Sequence, residues 1–134
     1  MEMTAEITQL REKIEAAWSD RALLDNSDYA QAVRDCVSML DLGQLRVAEK
    51  IDGQWVTHAW VKQGVLLYFV VAEMQVMEMG PYEFFDKIPL KRNLKEQGVR
   101  VVPPGTVRFG SHVERGAVIM PGYVNIGAYV GDNT

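Results

Sequence analysis

Few side chains in this sequence are of the types that catalyse reactions. His58 follows Thr57 at a predicted helix start, where we expect it to cap the helix or pack locally. His112 lies in a glycine-rich segment and is the better placed of the two histidines for acid–base chemistry. The single cysteine, Cys36, stands among aliphatic residues at helical spacing and has no basic neighbour. We therefore predict a buried thiol and not a nucleophile.

The sequence predicts no metal or phosphate site. Met74, Met77 and Met79 lie close together, but thioethers in one irregular loop are expected to pack and not to bind a soft metal ion. There is no cysteine or histidine cluster at metal-binding spacing, no glycine-rich phosphate loop and no nucleophile elbow. We therefore expect no metal and no permanently bound cofactor.

Arg100 is the side chain best suited to binding a small anion. Its guanidinium is permanently charged and offers a two-pronged donor face that fits a carboxylate. It directly precedes two valines and then Pro103 and Pro104, and these prolines restrict the backbone that carries it. The alternative is a structural one, in which Arg100 pairs with an acidic side chain at a domain junction.

Composition limits the class of protein. The chain has 134 residues, 48% hydrophobic and 24% charged, enough for one ordinary globular domain with a buried core. The net charge is -4 without a basic block, which argues against nucleic acid or an acidic membrane surface as a partner. The longest apolar run, residues 64–72, is too short to span a bilayer, and the first residues lack the pattern of a signal peptide. We expect a cytoplasmic protein.

Apolar periodicity predicts two amphipathic helices in the first third of the chain. The first runs from Thr4, its expected cap, to about Asp20. The second runs from about Asp28 to Leu42, with Ser27 as the expected cap and Gly43 as a left-handed residue after its end.

A hairpin, a third helix and a less regular segment are predicted to follow. Asp52-Gly53 is the dipeptide that most readily supplies two positive φ angles, so it predicts a β-hairpin turn. A helical face predicts the third helix from roughly His58 to Phe69. Residues 73–92 are irregular, with a turn at Gly80-Pro81. A loosely basic stretch is expected to be a solvated connection: Lys87, Lys91, Arg92 and Lys95.

The last part of the chain has a different pattern. Residues 101–134 contain six of the eleven glycines and no lysine, which predicts one domain at 1–99 and a second at 100–134. Aliphatic residues recur every six positions, at Val101, Val107, Val113 and Ile119, and resume after one five-residue step at Val124 and Val130. Gly110, Gly116 and Gly122 recur in matching phase. A six-residue period is typical of a left-handed parallel β-helix built from hexapeptide repeats. Because predicted helices and a β-hairpin precede it, the predicted fold class is mixed α/β.

Several stretches resemble one enzyme family. They are residues 45–58 (LRVAEKIDGQWVTH), Trp60, residues 65–67 (VLL), 85–89 (FDKIP), 100–104 (RVVPP), 120–121 (MP) and 123–130 (YVNIGAYV). Together they strongly resemble the tetrahydrodipicolinate N-succinyltransferases of lysine and diaminopimelate biosynthesis. The resemblance covers most of residues 30–134, and the first 29 residues agree only in helical character.

The resemblance implies an acyltransferase that moves a succinyl group from succinyl-CoA to the amino group of ring-opened tetrahydrodipicolinate. It implies a homotrimer with sites between subunits, and it places Arg100 on the dicarboxylate acceptor. It places no catalytic histidine at position 112. A family aspartate on the substrate side would fall just past Thr134, as would the coils of the coenzyme groove. We therefore expect no catalytic residue within residues 1–134 and no activity from this stretch alone.

Two other readings remain open. Hexapeptide repeats specify architecture and not substrate, so another acyltransferase on the same β-helix, for example one acting on a sugar nucleotide, would share much of the pattern. A non-catalytic module that only assembles into trimers would share it as well.

Overall fold

The computed structural model describes residues 1–134 as a mixed α/β protein, and this class, predicted from the sequence, is confirmed. The helices are α1 (Ala5–Ser19), α2 (Ser27–Asp41), α3 (Ala59–Val71) and α4 (Leu94–Gln97), with a 3-10 helix at Arg21–Asp25. The longer strands are β1 (Ala48–Ile51), β2 (Gln54–Thr57), β3 (Gln75–Met79) and β4 (Tyr82–Asp86). Six two-residue strands follow: β5 (Arg100–Val101), β6 (Thr106–Val107), β7 (His112–Val113), β8 (Val118–Ile119), β9 (Tyr123–Val124) and β10 (Tyr129–Val130).

The first three helices pack on one another and form the main core. Thr4 caps α1, because its hydroxyl accepts a hydrogen bond from the Ile7 amide at 3.2 Å. Helices α2 and α3 approach closely at Gly64, where an added Cβ would lie 2.6 Å from the Cys36 sulfur. A glycine is needed there because any side chain would push the two helices apart. None of the helices is long and apolar enough to cross a membrane.

The predicted cap of α2 is wrong by one residue. Asn26 is the cap, with an extended backbone and a side-chain oxygen that accepts from the Asp28 amide at 2.9 Å. Ser27 is already the first helical residue of α2. A 3-10 helix at Arg21–Asp25, which was not predicted, ends directly before Asn26 and leaves that residue in the cap position. The expected left-handed residue after α2 is present, with Gly43 at φ +74°.

The first predicted hairpin is confirmed. Asp52 and Gly53 both have positive φ angles, 47° and 79°, and Ile51 pairs with Gln54 across the two-residue turn between β1 and β2. Helix α3 begins at Ala59, one residue after the predicted start, and ends at Val71, two residues beyond the predicted end.

The irregular segment predicted for residues 73–92 contains a second antiparallel hairpin, so that prediction is wrong. Strands β3 and β4 pair from Gln75 with Asp86 to Met79 with Tyr82, and the predicted Gly80-Pro81 turn connects them. Met77 and Met79 therefore lie in a strand and not in a loop. Their alternation with Val76 and Glu78 is a period of two, but methionine is not a β-branched residue and carried little strand signal.

The basic stretch is not a solvated connection at two of its positions. The Lys87 ammonium donates to the Phe69 carbonyl oxygen at 2.6 Å, near the end of α3. The Lys91 side chain is only 2% exposed and forms an ion pair with Asp41 at 2.8 Å. The ammonium group of each side chain therefore has a hydrogen-bond acceptor within the chain.

Residues 100–134 form three parallel strand pairs. Arg100 pairs with Val118, 18 residues later, whereas Thr106 pairs with Tyr123 and His112 with Tyr129, each 17 residues later. Four side chains are buried as a second small core, Val99, Val107, Val113 and Ala117, with Val101, Ile119, Val124 and Val130 partly buried around it. The aliphatic period in the sequence therefore corresponds to inward-facing positions.

Candidate functional site

Arg100 is the first residue of β5, and its backbone is held by a hydrogen bond and by the burial of the residue before it. Its amide donates to the Ala117 carbonyl oxygen at 3.1 Å, and the preceding residue, Val99, is buried with Ala117 in the second core. Successive residues of a strand point to opposite faces, so the partly buried Val101 directs Arg100 outward. The structure thus presents an exposed guanidinium on a backbone anchored by a packed core.

The charge of Arg100 is not compensated within the chain. No hydrogen bond or ion pair engages its side chain, although Arg11 and Arg108 both pair with acidic residues. The structural alternative, in which Arg100 pairs with an acid at a domain junction, is not what the structure shows. An uncompensated, exposed guanidinium is able to bind a carboxylate through two parallel hydrogen bonds.

The surface beside Arg100 is apolar. Val118 is the register partner of Arg100, and Met120 lies two residues further along the same strand direction. Their exposed fractions are 41% and 64%, which is high for aliphatic side chains of this size. The guanidinium therefore borders a strip of exposed hydrocarbon, with no acidic residue between them.

His112 serves as a contact between the two cores. Its Nδ1 atom lies 3.1 Å from the Asp41 carbonyl oxygen at the end of α2, and its ring centroid is 5.0 Å from that of Tyr129. Its Nε2 atom faces the backbone of Gly43, where an added Cβ would come within 2.8 Å. Both ring nitrogens thus face the fold, and His112 and Arg100 lie on different strand pairs.

A polar cluster beside His112 has no counterpart in the sequence predictions. The Arg46 guanidinium lies 3.7 Å from the centroid of the Tyr129 ring, and the Tyr129 hydroxyl donates to the Glu114 carboxylate. That hydrogen bond lowers the pKa of Glu114 and raises the pKa of Tyr129. The 17-residue offset of the parallel pairs, which brings Tyr129 next to His112, is the sequence signal that could have located it.

An open depression of about 450 Å³ adjoins this cluster. Its polar lining comprises Asp41, Gln97, His112, Glu114, Arg115 and Asp132. Most of these groups already have partners within the chain, such as Lys91 for Asp41. Arg100 does not line it, so the structure does not bring the predicted acceptor residue and this depression together.

His58 has a local role that differs in detail from capping. Its side chain makes no capping hydrogen bond to α3, and its Nε2 atom instead lies 2.8 Å from a Glu49 carboxylate oxygen. The Met1 amine donates to the same oxygen at 2.6 Å. The hydrogen bond from the Met1 amine is the main cause of a lowered pKa of Glu49, and the hydrogen bond from His58 lowers it further.

The remaining sequence candidates lie apart from Arg100. Cys36 is buried between helices, and burial raises its pKa to about 12, so the thiolate is scarce at neutral pH. No group of three or more histidine, cysteine, aspartate or glutamate side chains is arranged to hold a metal ion. Of the three methionines, Met77 and Met79 belong to β3, and Met74 is an exposed residue just before it.

Comparison with known proteins relates the sequence of this chain to one group of enzymes. Residues 9–71 match the sequence model of the tetrahydrodipicolinate N-succinyltransferase N-terminal region. A 2,3,4,5-tetrahydropyridine-2,6-dicarboxylate N-succinyltransferase of Sodalis glossinidius is 46% identical over 135 residues, covering 93% of this chain and 49% of the relative. The enzymes of the same name from Erwinia tasmaniensis and Acinetobacter baylyi are 50% and 46% identical, over 90% and 96% of this chain and 47% and 50% of theirs.

The chain spans about half the length of the curated relatives it matches. The similarity extends well beyond the helical region, because the aligned segments cover nine tenths or more of the chain. Residues 9–71 are thus similar to the N-terminal region of the tetrahydrodipicolinate N-succinyltransferases, and the similarity to these enzymes continues through the rest of the chain.

Proposed function

We propose that this protein takes part in N-succinyl transfer from succinyl-CoA to the amino group of ring-opened tetrahydrodipicolinate, in lysine and diaminopimelate biosynthesis. The relatives are named as 2,3,4,5-tetrahydropyridine-2,6-dicarboxylate N-succinyltransferases, which supports the transfer and its acceptor. The observation that carries the proposal within the chain is the exposed Arg100 guanidinium, which has no partner of its own and suits one carboxylate of a dicarboxylate acceptor.

In the proposed reaction the acceptor amine attacks the thioester carbonyl carbon of succinyl-CoA. A C–N bond forms, the C–S bond breaks, and the amine proton ends on the departing coenzyme A thiolate. The protein must hold the acceptor in line and stabilise the oxyanion that develops on the carbonyl oxygen. Arg100 contributes to the first task by anchoring a carboxylate. We propose that acid–base groups and coenzyme contacts come from outside residues 1–134, so that this stretch alone does not complete transfer.

We further propose that residues 100–134 are the first coils of a left-handed parallel β-helix and that residues 1–99 are a separate N-terminal domain. The parallel pairs at 17- and 18-residue offsets support the first part. So do the small aliphatic core and the positive φ angles of Gly110, Gly116 and Gly127 between the strands. By analogy with the family we propose a cytoplasmic homotrimer whose sites lie between subunits.

The proposal is tested at Arg100 in the whole protein. Replacement by lysine keeps the charge but loses the fork, and replacement by alanine loses both. Because charge-assisted hydrogen bonds contribute about 1.5–3 kcal/mol each, Arg100→Ala should lower kcat/KM for the acceptor by at least about tenfold. The KM for succinyl-CoA should stay within about twofold of the unchanged protein.

A matched control is Arg92→Ala, which removes another exposed arginine whose side chain has no ion pair. It should leave the kinetics of both substrates unchanged. The assignment is wrong if Arg100→Ala leaves acceptor kinetics normal while it lowers the melting temperature or weakens coenzyme binding.

A further inference from the structure

We propose that Val118 and Met120 form an apolar floor that receives the hydrocarbon chain of the acceptor while Arg100 holds its carboxylate. These two side chains would then determine which chain lengths the protein accepts. The inference rests on the proposed function, since it concerns the acceptor of the same reaction. It adds specificity-determining residues to a site for which only a carboxylate anchor has been proposed above.

Strand register places the three side chains on one face. Arg100 and Val118 are direct partners in a parallel pair, and partners in register point to the same side of a sheet about 4.8 Å apart. Met120 follows Val118 by two residues, and the Val102 amide still bonds to the Ile119 carbonyl oxygen at 2.9 Å, so the pairing persists alongside it. Residues two apart on a strand share a face, so Met120 continues the surface that begins at Val118.

The exposure of this strip is not explained by packing within the chain. The intervening residue, Ile119, packs against the second core. Val118 and Met120 point to the opposite face, so neither is needed to fill that core. Val118 and Met120 remain 41% and 64% exposed on the outward face. Their hydrocarbon is available to shield a bound chain from water, which is favourable in proportion to the apolar area that is covered.

The charge of the same face selects the class of ligand. Arg100 is the one charged residue among the outward positions 100, 102, 118 and 120, and its guanidinium has no acidic partner. A polyol or a nucleotide would leave its polar groups unpaired against Val118 and Met120. An aliphatic carboxylate, with an anionic end and a run of methylene groups, matches both parts of the surface.

The test uses substitutions that keep shape and remove apolar character, Val118→Thr and Met120→Gln in the whole protein. Threonine is β-branched and suits a strand, so folding should be preserved. Because the face is open and not a closed pocket, we expect each change to raise the KM for the acceptor by about fivefold, less than a methylene contributes in an enclosed site. The KM for succinyl-CoA should not change. An acceptor analogue shortened by one methylene should lose less from Val118→Thr than the acceptor does.

Val76→Thr is the matched control, because Val76 is also an exposed strand valine, at 58% compared with 41% for Val118, and it lies on the β3–β4 hairpin. It should leave both KM values unchanged. If Val118→Thr leaves the acceptor KM unchanged in an active protein, this inference is overturned and the proposed function stands. If it instead changes the molecular mass in solution, the strip is an interface between copies and the inference is also overturned. If the unchanged protein transfers no succinyl group, the proposed function and this inference fail together.

Discussion

Replacement of Lys91 by methionine should destabilise this protein strongly, although the sequence around Lys91 predicts a solvated surface segment. The ammonium donates to the Asp41 carbonyl oxygen at 2.8 Å, to the Asp41 carboxylate at 2.8 Å and to the Ser111 carbonyl oxygen at 2.9 Å. The same carboxylate oxygen accepts from the Gly110 amide at 2.9 Å. Through these hydrogen bonds Lys91 links the end of α2 to the segment that precedes β7.

The expected loss follows from what the change leaves behind. Removing one partner of a buried ion pair costs about 3–5 kcal/mol, because the other charge stays desolvated and unpaired. Asp41 is 15% exposed and keeps its hydrogen bond from Gly110, so we expect the lower end, about 3 kcal/mol. For a chain of this size that loss corresponds to roughly 10 °C in Tm. Asp41→Asn should cost a similar amount, because it leaves the buried ammonium without a counter-charge.

Urea denaturation followed by tryptophan fluorescence measures this effect, with Lys95→Met as the control. Lys95 is exposed and its side chain makes no hydrogen bond, so its replacement should change the free energy of unfolding by less than about 0.5 kcal/mol. The difference between the two variants should persist in about 1 M salt, because buried pairs are screened weakly. If Lys91→Met unfolds within about 0.5 kcal/mol of the unchanged protein, the reasoning about this ion pair is refuted.

Two further predictions concern backbone strain and pH. Gly110→Ala should lower the free energy of unfolding by about 2–4 kcal/mol in urea titrations, because φ is +86° and the new Cβ would lie 2.7 Å from an Ile126 carbon. Gly53→Ala, with a similar φ but no atom within 4 Å, should lose only about 1–2 kcal/mol, and equal losses would contradict the steric argument. The hydrogen bond from Met1 lowers the pKa of Glu49, so its contribution to stability is present above the ordinary value of 4.5 and is lost as pH falls through the lowered value. The Tm difference between the unchanged protein and Glu49→Gln should therefore shrink from about pH 6 to about pH 3, and a constant difference would contradict this.

Local signals in the sequence predicted the local structure well. The Thr4 cap, the Asp52-Gly53 turn and the left-handed Gly43 each depend on the chemistry of one or two neighbouring residues, and the structure contains all three. The choice between Asn26 and Ser27 as the cap of α2 was decided by a 3-10 helix that has no clear periodicity. The β3–β4 hairpin was missed because methionine-rich strands resemble irregular segments in composition.

Long-range partners could not be predicted from the sequence. Lys91 and Asp41 are 50 residues apart, and nothing near either residue indicates that the other will neutralise it. The contact of His112 with the Asp41 carbonyl oxygen and the Arg46–Tyr129 contact join residues 71 and 83 positions apart, for the same reason. Arg100 was singled out by residue type and resemblance. Its lack of an acidic partner became visible only when the acidic side chains had positions in space.

The unequal offsets of the parallel strand pairs have a practical consequence. Four residues connect β5 to β6, whereas three connect β8 to β9, so the missing residue is absorbed between strands and every pair keeps its register. Met120, Pro121 and Gly122, which make up the shorter connection, are all exposed. Changes of chain length are tolerated best in such surface connections. A short reporter peptide or a fluorophore attachment site is therefore best inserted at Pro121, because the Gly122 carbonyl oxygen accepts a hydrogen bond from the Thr106 amide at 3.0 Å and must stay in register.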